Sequence, residues 1–424
     1  MKILMLVSNP CTHDARVMRE AEALAEAGHD VRVLAKWAPG TAREEVRNSV
    51  TYHRLGTPRI RNISAPASGK VSSAVSKPGD ANPAARPTLY IRTRRYAGTF
   101  VRKAILLMPR TGPMLVDHAR LFAKPGAAFQ PDVVHAHDLV TLLAGQRIAR
   151  QTKARLVYDS HELETGRNAK YLRIERWLRG RYERHLIAKT DAVITVSDSI
   201  ADYLAALYKI ARPTVVLNAP SMMHASINGD HVRQHLGLSE ATPLAVYVGS
   251  VTTNRGLENC VRALAHAPLL HIVAVGPRAA PVAEALVREA ANLGVSDRFH
   301  LVDPVPHEGV TGFIRSADVS LILIQDTCLS YRFCFPNKLL ESLLAGVPVL
   351  TAKLVELERI VEKTSAGLAV NQTDPAAIAA GAMTIAGNRA SYAPGPETID
   401  FIRRTYAWEQ QKTTLFKLYE GLRR

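Results

Sequence analysis

Apolar residues in this chain form short unbroken runs, and between those runs they recur at helical spacing. "KILMLVS" reads as a buried strand, "ARVMREAEALAEAG" as an amphipathic helix closed by Gly28, and "HDVRVLAKW" as the next strand. A strand, a helix and a strand in that order form a βαβ unit, the sign of a parallel sheet covered by helices. Residues from about 58 to 90 break the rhythm. They are rich in Ser, Ala, Pro and Gly and are expected to form a flexible insert. "DVVHAHD", "ARLVYDSHE" and "DAVITVS" resume the buried-strand pattern, and "PTVVLNAPS" ends this half. A second series follows in "PLAVYVGS", "LLHIVAVGP", "RFHLVDPVP", "DVSLILI", "VPVLTA" and "GLAV", with helices between.

Two successive α/β halves predict two doubly wound, Rossmann-like domains facing across a cleft, over residues 1–220 and 221–405. A last helix, 406–424, is expected to cross back to the first domain. Ligands of such sheets bind beyond the carboxyl ends of the strands. No G-x-G-x-x-G follows a strand and no Walker A loop is present. These absences argue against an ordinary nicotinamide dehydrogenase and a P-loop nucleotidase.

Composition narrows the partners. The chain has 424 residues, 47% hydrophobic, with a net charge of +16, which points to an anionic partner: nucleic acid, a membrane surface or a phosphorylated substrate. Zinc-finger spacing, an RNP-like aromatic motif and a continuous basic region are all missing, so sequence-specific nucleic-acid binding is unsupported. No apolar run approaches the roughly 18–20 residues of a membrane span. The four cysteines form no C-x-x-C pair and no Cys/His metal pattern, which suits reduced thiols in a cytoplasmic protein.

Two segments suggest chemistry. In "FPNKLLESLLAGVPVL", Pro336 suits the first helical position, Leu339, Leu340, Leu343 and Leu344 make an apolar stripe, and Gly346 is placed to end the helix. Lys338 and Glu341, three apart, share a face away from that stripe. They are either a solvated ion pair, stabilising by only about 0.2–0.5 kcal/mol, or the floor of a site. Between Arg92 and Arg110, basic residues interleave with Tyr90, Tyr96, Phe100, Ile105, Leu106 and Leu107. That mixture suits an interfacial helix on an anionic membrane, or a core helix with a solvated face.

The order of several segments then becomes informative: "DVVHAHD", "YDSHE", "DAVITVSDSIADYL", "YVGSVTTNRGLENCVRAL", "PNKLLESLLAGVPVL" and a terminal "WEQQKTTLFKLYEGL". Together they resemble the retaining nucleotide-sugar glycosyltransferases of the GT-B fold, family four (glycosyl transferase group 1). The resemblance covers nearly the whole chain except the insert. It implies transfer of a sugar from a UDP- or GDP-sugar to an acceptor hydroxyl with retained configuration, in glycan or glycoconjugate biosynthesis. The acceptor would be a sugar, a lipid-linked glycan or a small-molecule glycoside. No cofactor, metal or nucleic acid is implied. The location would be cytoplasmic, with peripheral contact on the inner membrane face. A nucleotide-sugar epimerase and a non-catalytic partner subunit are the alternatives.

Residue by residue, the resemblance places the ribose hydroxyls on Glu341 and the diphosphate at the helix start, near Phe335, Asn337, Lys338 and Leu339. It also implicates Gly249, Ser250 and Arg255 in the loop "GSVTTNRG". Ser250 stands where the family usually has an arginine, and Arg255 lies near the usual lysine, so Arg255 with Lys338 would carry the diphosphate charge. His137 would lie beside the donor sugar as a catalytic residue, with His135 a core histidine on the opposite strand face. Asp159, His161 and Glu162 would shape the acceptor side. His13, Asp14 and Arg16 are further acceptor-side candidates, although Asp14 equally suits a helix cap. Phe333 occupies the place of the family's first glutamate.

Overall fold

A computed structural model of the chain describes residues 1–56, 108, 111–169, 171–220, 231–306 and 309–423. The expected insert at 58–90 and the basic segment at 92–110, Met108 apart, lie outside the described residues. Two sheets organise the molecule. The first contains β1 (Lys2–Leu6), β2 (Asp30–Lys36), β3 (Glu44–Arg47), β4 (Val50–Leu55), β5 (Val133–His137), β6 (Arg155–Ser160), β7 (Ala192–Thr195) and β8 (Thr214–Val215). Their spatial order is β3-β4-β2-β1-β5-β6-β7-β8. The second contains β9 (Leu244–Val248), β10 (His271–Val275), β11 (Phe299–Val302), β12 (Val319–Ile322), β13 (Val349–Ala352) and β14 (Gly367–Val370), in the order β11-β10-β9-β12-β13-β14. All neighbours pair parallel except β3 with β4.

The apolar runs become strands because both sheet faces are covered. All five residues of β5 and of β9 are buried, which only an uninterrupted apolar run, or polar groups with internal partners, can satisfy. Each sheet reverses direction once. In the first, the chain builds outward from β1 to one side and then restarts at β5. In the second, it builds from β9 and restarts at β12. Crevices open at such switch points, at the carboxyl ends of the strands.

Two local details add to the expected pattern. "PTVVLNAPS" yields only the two-residue β8. The antiparallel pair β3–β4, not anticipated from the sequence, turns through Asn48 and Ser49, both with positive φ (48° and 62°), as a tight two-residue hairpin requires. The helix Trp408–Gly421 buries Leu415 and Tyr419 in the core of the first domain beside Ile3, Met5 and Val133.

Candidate active site

The second domain holds a cavity of about 320 Å³, lined by Val248, Gly249, Val275, Pro277, Val305, Val310, Pro336, Asn337, Lys338 and Glu341. That volume lies at the lower end of small-ligand sites. The cavity sits at the carboxyl ends of β9 and β10, next to the switch point between β9 and β12. Its walls approach closely. A Cβ on Gly276, whose φ is +143°, would lie 2.4 Å from the Gly249 carbonyl oxygen, so only glycine lets the two strand ends meet.

The helix Asn337–Leu344 forms the floor. Pro336 has extended backbone (φ −80°, ψ 140°) and precedes the helix as its N-cap instead of occupying its first turn, so Asn337 opens it. The first-turn amides of any helix lack partners within it, and its N-terminus carries partial positive charge. Leu339 is not part of the wall: its side chain is fully buried in the core and its N–H donates to the Pro336 carbonyl. Nor is Glu341 half of a solvated pair. It is only 7% exposed, because its face of the helix is turned toward the cavity and the first domain.

Lys338 lies with its Nζ 3.8 Å from the centre of the Tyr247 ring. Desolvation against that wall, followed by repulsion from Arg255, brings its pKa down to about 7, with Cys334 and Glu341 opposing the shift. Arg255 does not line the cavity. Its guanidinium lies 5.6 Å above the Tyr331 ring, within the field of Lys338. Ser250 is exposed, and its carbonyl accepts from the Tyr247 hydroxyl at 2.9 Å. Phe335 packs against Tyr406. Neither residue reaches the cavity wall.

The first domain contributes a buried polar cluster at the ends of β5 and β6. Parallel register sets His137 opposite Asp159, and His137 Nδ1 lies 3.2 Å from Asp159 Oδ2 and 3.1 Å from His161 Nε2. His161 Nε2 lies 3.0 Å from the same carboxylate oxygen. Asp159, helped foremost by Arg16 and then by His161, ionises well below the usual carboxylate range despite its burial. In return the carboxylates Asp159 and Asp138 raise His161 to about 9, against a desolvation that works the other way. His135 is not on the opposite face: residues two apart on a strand share a face, and its ring stacks on His137 with centroids 4.3 Å apart. Its Nδ1 lies 2.8 Å from the Tyr419 hydroxyl, so the C-terminal helix seals the cluster.

Arg16 belongs to this cluster and not to an acceptor surface. It is 5% exposed, grips both oxygens of Asp159 at 2.8 Å, and donates to the Val216 carbonyl. Asp14 caps the helix Ala15–Glu26 by accepting from the Val17 amide. His13 is exposed beside it, and Glu162, half exposed, pairs with Arg167 at 3.1 Å. Glu20, His135, His137 and Asp159 bring four donor atoms within 4.8 Å of one another. The Arg16 guanidinium fills the same space, 3.1 Å from Glu20, so a bound cation would lie against it.

Residues 15–219 match the family model for Glycosyltransferase Family 4, and residues 242–388 that for Glycosyl transferases group 1. The chain belongs to this family. A D-inositol 3-phosphate glycosyltransferase from Xylanimonas cellulosilytica is 26% identical over 68% of the chain and 71% of its own length. Its namesake from Nocardia farcinica is 27% identical over 62% and 59%. Among solved structures, sucrose-phosphate synthase from Thermosynechococcus elongatus aligns with a TM-score of 0.73 at 20% identity, covering 100% of this chain and 99% of that one. The Anabaena protein HepE, solved with UDP and glucose, aligns at 0.67 and 13% identity over 99% of this chain and 100% of its own. These likenesses establish the GT-B fold.

Two features of this glycosyltransferase were not visible in the sequence. Phe333, at the place of the family's first glutamate, packs against Tyr203 of the first domain with ring centres 5.8 Å apart, and its carbonyl accepts from Ser197 Oγ at 2.7 Å. The position serves contact between domains. Nearby, Gly166 approaches so closely that a Cβ there would lie 2.8 Å from Leu329 Cβ. Arg19, on the first-domain helix Ala15–Glu26, lies in the field of Glu341 while donating to the Ala219 carbonyl at 2.5 Å. Nothing in "ARVMREAEAL" marks Arg19 apart from its neighbours, because its partner is 322 positions away along the chain (341 − 19).

Proposed function

We propose that this glycosyltransferase moves a sugar from a UDP- or GDP-sugar to an acceptor hydroxyl with retention of anomeric configuration, in glycan or glycoconjugate biosynthesis. The reading rests on one observation: a cavity at the sheet switch point whose floor is a helix N-terminus carrying a half-buried Lys338 and a buried Glu341. The Glu341 carboxylate accepts from both hydroxyls of a ribose diol. The helix N-terminus and Lys338 receive the diphosphate, with Arg255 completing the countercharge as the leaving group departs. The likeness to a protein solved with UDP and glucose supports a uridine donor.

His137, held by Asp159 and His161, is assigned to the donor sugar, with His161, Glu162 and His13 toward the acceptor. The acceptor is a sugar, a lipid-linked glycan or a small-molecule glycoside, and the location is cytoplasmic with peripheral membrane contact. The test is incubation with UDP- and GDP-sugars in the presence and absence of acceptor mixtures. Acceptor-dependent release of nucleoside diphosphate, with a product of unchanged anomeric configuration by NMR, is expected. Isomerised nucleotide sugar, or no turnover of any donor, refutes the assignment.

A further inference from the structure

The helix Arg173–Ile187 keeps one face outside the fold. Leu178, Tyr182, Leu186 and Ile187 pack into the first-domain core. Its two acids also point inward. Glu175 lies 3.3 Å from Thr111 Oγ1, and Glu183 accepts from the hydroxyls of Tyr158 and Tyr208. Arg173, Trp177, Arg181 and Arg184 follow one another along the opposite side at steps of four, four and three residues, and all are exposed. Beside them, Leu172, Ile174 and Trp177 are 68%, 58% and 54% exposed. No acid of this helix is exposed to offset the arginines.

This face adjoins the mouth of the cleft. The loop before it reaches the second domain: the Leu163 carbonyl accepts from Ser330 Oγ at 3.1 Å, and Asn168 contacts the Tyr331 hydroxyl at 3.5 Å. Tyr331 is the ring beneath Arg255. Leu172 follows Asn168 by only four residues.

We propose that this face docks the protein on an anionic lipid bilayer. Trp177, Ile174 and Leu172 enter the boundary between headgroups and acyl chains, and Arg173, Arg181 and Arg184 meet the lipid phosphates. Three exposed apolar side chains among the arginines favour a bilayer over a nucleic acid or other polyanion, which would leave them in water. A second copy of the chain packed on the same face would set arginine against arginine. Among the described residues no helix is long and apolar enough to cross a membrane, so contact through this face is peripheral. The proposal deepens the reading of a lipid-linked acceptor but is tested without any transfer.

The experiment uses the full chain and vesicles of phosphatidylcholine with or without an equal part of phosphatidylglycerol. Co-sedimentation with the anionic vesicles alone, weakened by salt, is expected. Trp177→Ser/Ile174→Ser and Arg173→Ser/Arg181→Ser variants should each lose at least tenfold in vesicle affinity while binding nucleoside diphosphate as the parent does. In a Trp37→Phe/Trp408→Phe background, Trp177 is the only remaining tryptophan of three. Its emission should shift to the blue on vesicles and be quenched by brominated acyl chains. Three results overturn the proposal: Trp177 shielded from acrylamide in buffer alone, both double variants sedimenting like the parent, or binding to heparin or RNA as tight as to vesicles. Loss of nucleoside diphosphate binding in the parent would instead count against the donor site, leaving the vesicle result to stand separately.

Discussion

Lys338 makes donor affinity depend on pH in a direction the structure specifies. In the free protein its pKa is about 7, so at pH 7 half the molecules carry the charge and at pH 9 about one in a hundred. A diphosphate beside Nζ favours the protonated form and pulls the pKa back toward the ordinary lysine value of 10.5. Binding therefore takes up a proton above pH 7, and affinity weakens about fifty-fold from pH 7 to pH 9, roughly 2.3 kcal/mol. The groups facing Lys338 are Arg255, Cys334, Glu341 and Cys260, with the Tyr247 ring beneath it. Burial pushes the Cys334 and Cys260 thiols up to about 12, so neither titrates in this range. A nucleoside diphosphate sugar is the suitable ligand, because its phosphates do not titrate between these pH values. Calorimetry in buffers of different ionisation enthalpy should show proton uptake approaching one near pH 8.5. Lys338→Arg, always charged, should bind with a flat profile, and Lys338→Met should bind weakly with a flat profile. Parent affinity that is level from pH 7 to 9, or proton release on binding, would refute the reasoning.

Glu341→Ala should weaken nucleoside diphosphate binding by about 1–3 kcal/mol; unchanged affinity in a folded variant removes the ribose assignment. Arg255→Ala should lower turnover at saturating donor as well as affinity, since charge grows on the leaving group in the transition state. His137→Ala should instead spare nucleotide binding and damage transfer, and normal transfer in that variant rejects its role. His161 is raised from 6.5 to about 9 in the folded protein. Its contribution to stability is thus complete below pH 6.5 and is lost as pH rises through 9. Lys338, depressed instead of raised, gives stability that grows from pH 7 to 10.5. The difference in urea midpoint between parent and His161→Asn isolates the first effect; a difference that does not shrink from pH 6.5 to 9 contradicts it.

The sequence by itself determined the two α/β halves, most strands, and the helix that floors the cavity. These follow from local rules: a strand buried on both faces is an apolar run, and a helix over a core carries a stripe of leucines. Local pattern also contained the shared face of His135 and His137, since residues two apart on a strand point the same way. The hairpin β3–β4 was not legible. Its inward position Arg54 is a charged residue, made tolerable only by carbonyls of Pro10 and Ala42 and by Glu45. The state of each polar residue was decided by tertiary structure alone. Arg16 reads as a surface cation at a helix start, yet it is buried because Asp159, 143 residues later, accepts from its Nε and Nη2 and the Val216 carbonyl from its Nη1. Phe333 is an unexplained departure until Tyr203 of the other domain appears beneath it. Lys338 and Glu341 look like any exposed pair until the ends of β9 and β10 close over them. Backbone periodicity is local and survives in one dimension. Charge, burial and proton affinity depend on neighbours brought together by chain crossings, and local periodicity carries no record of those.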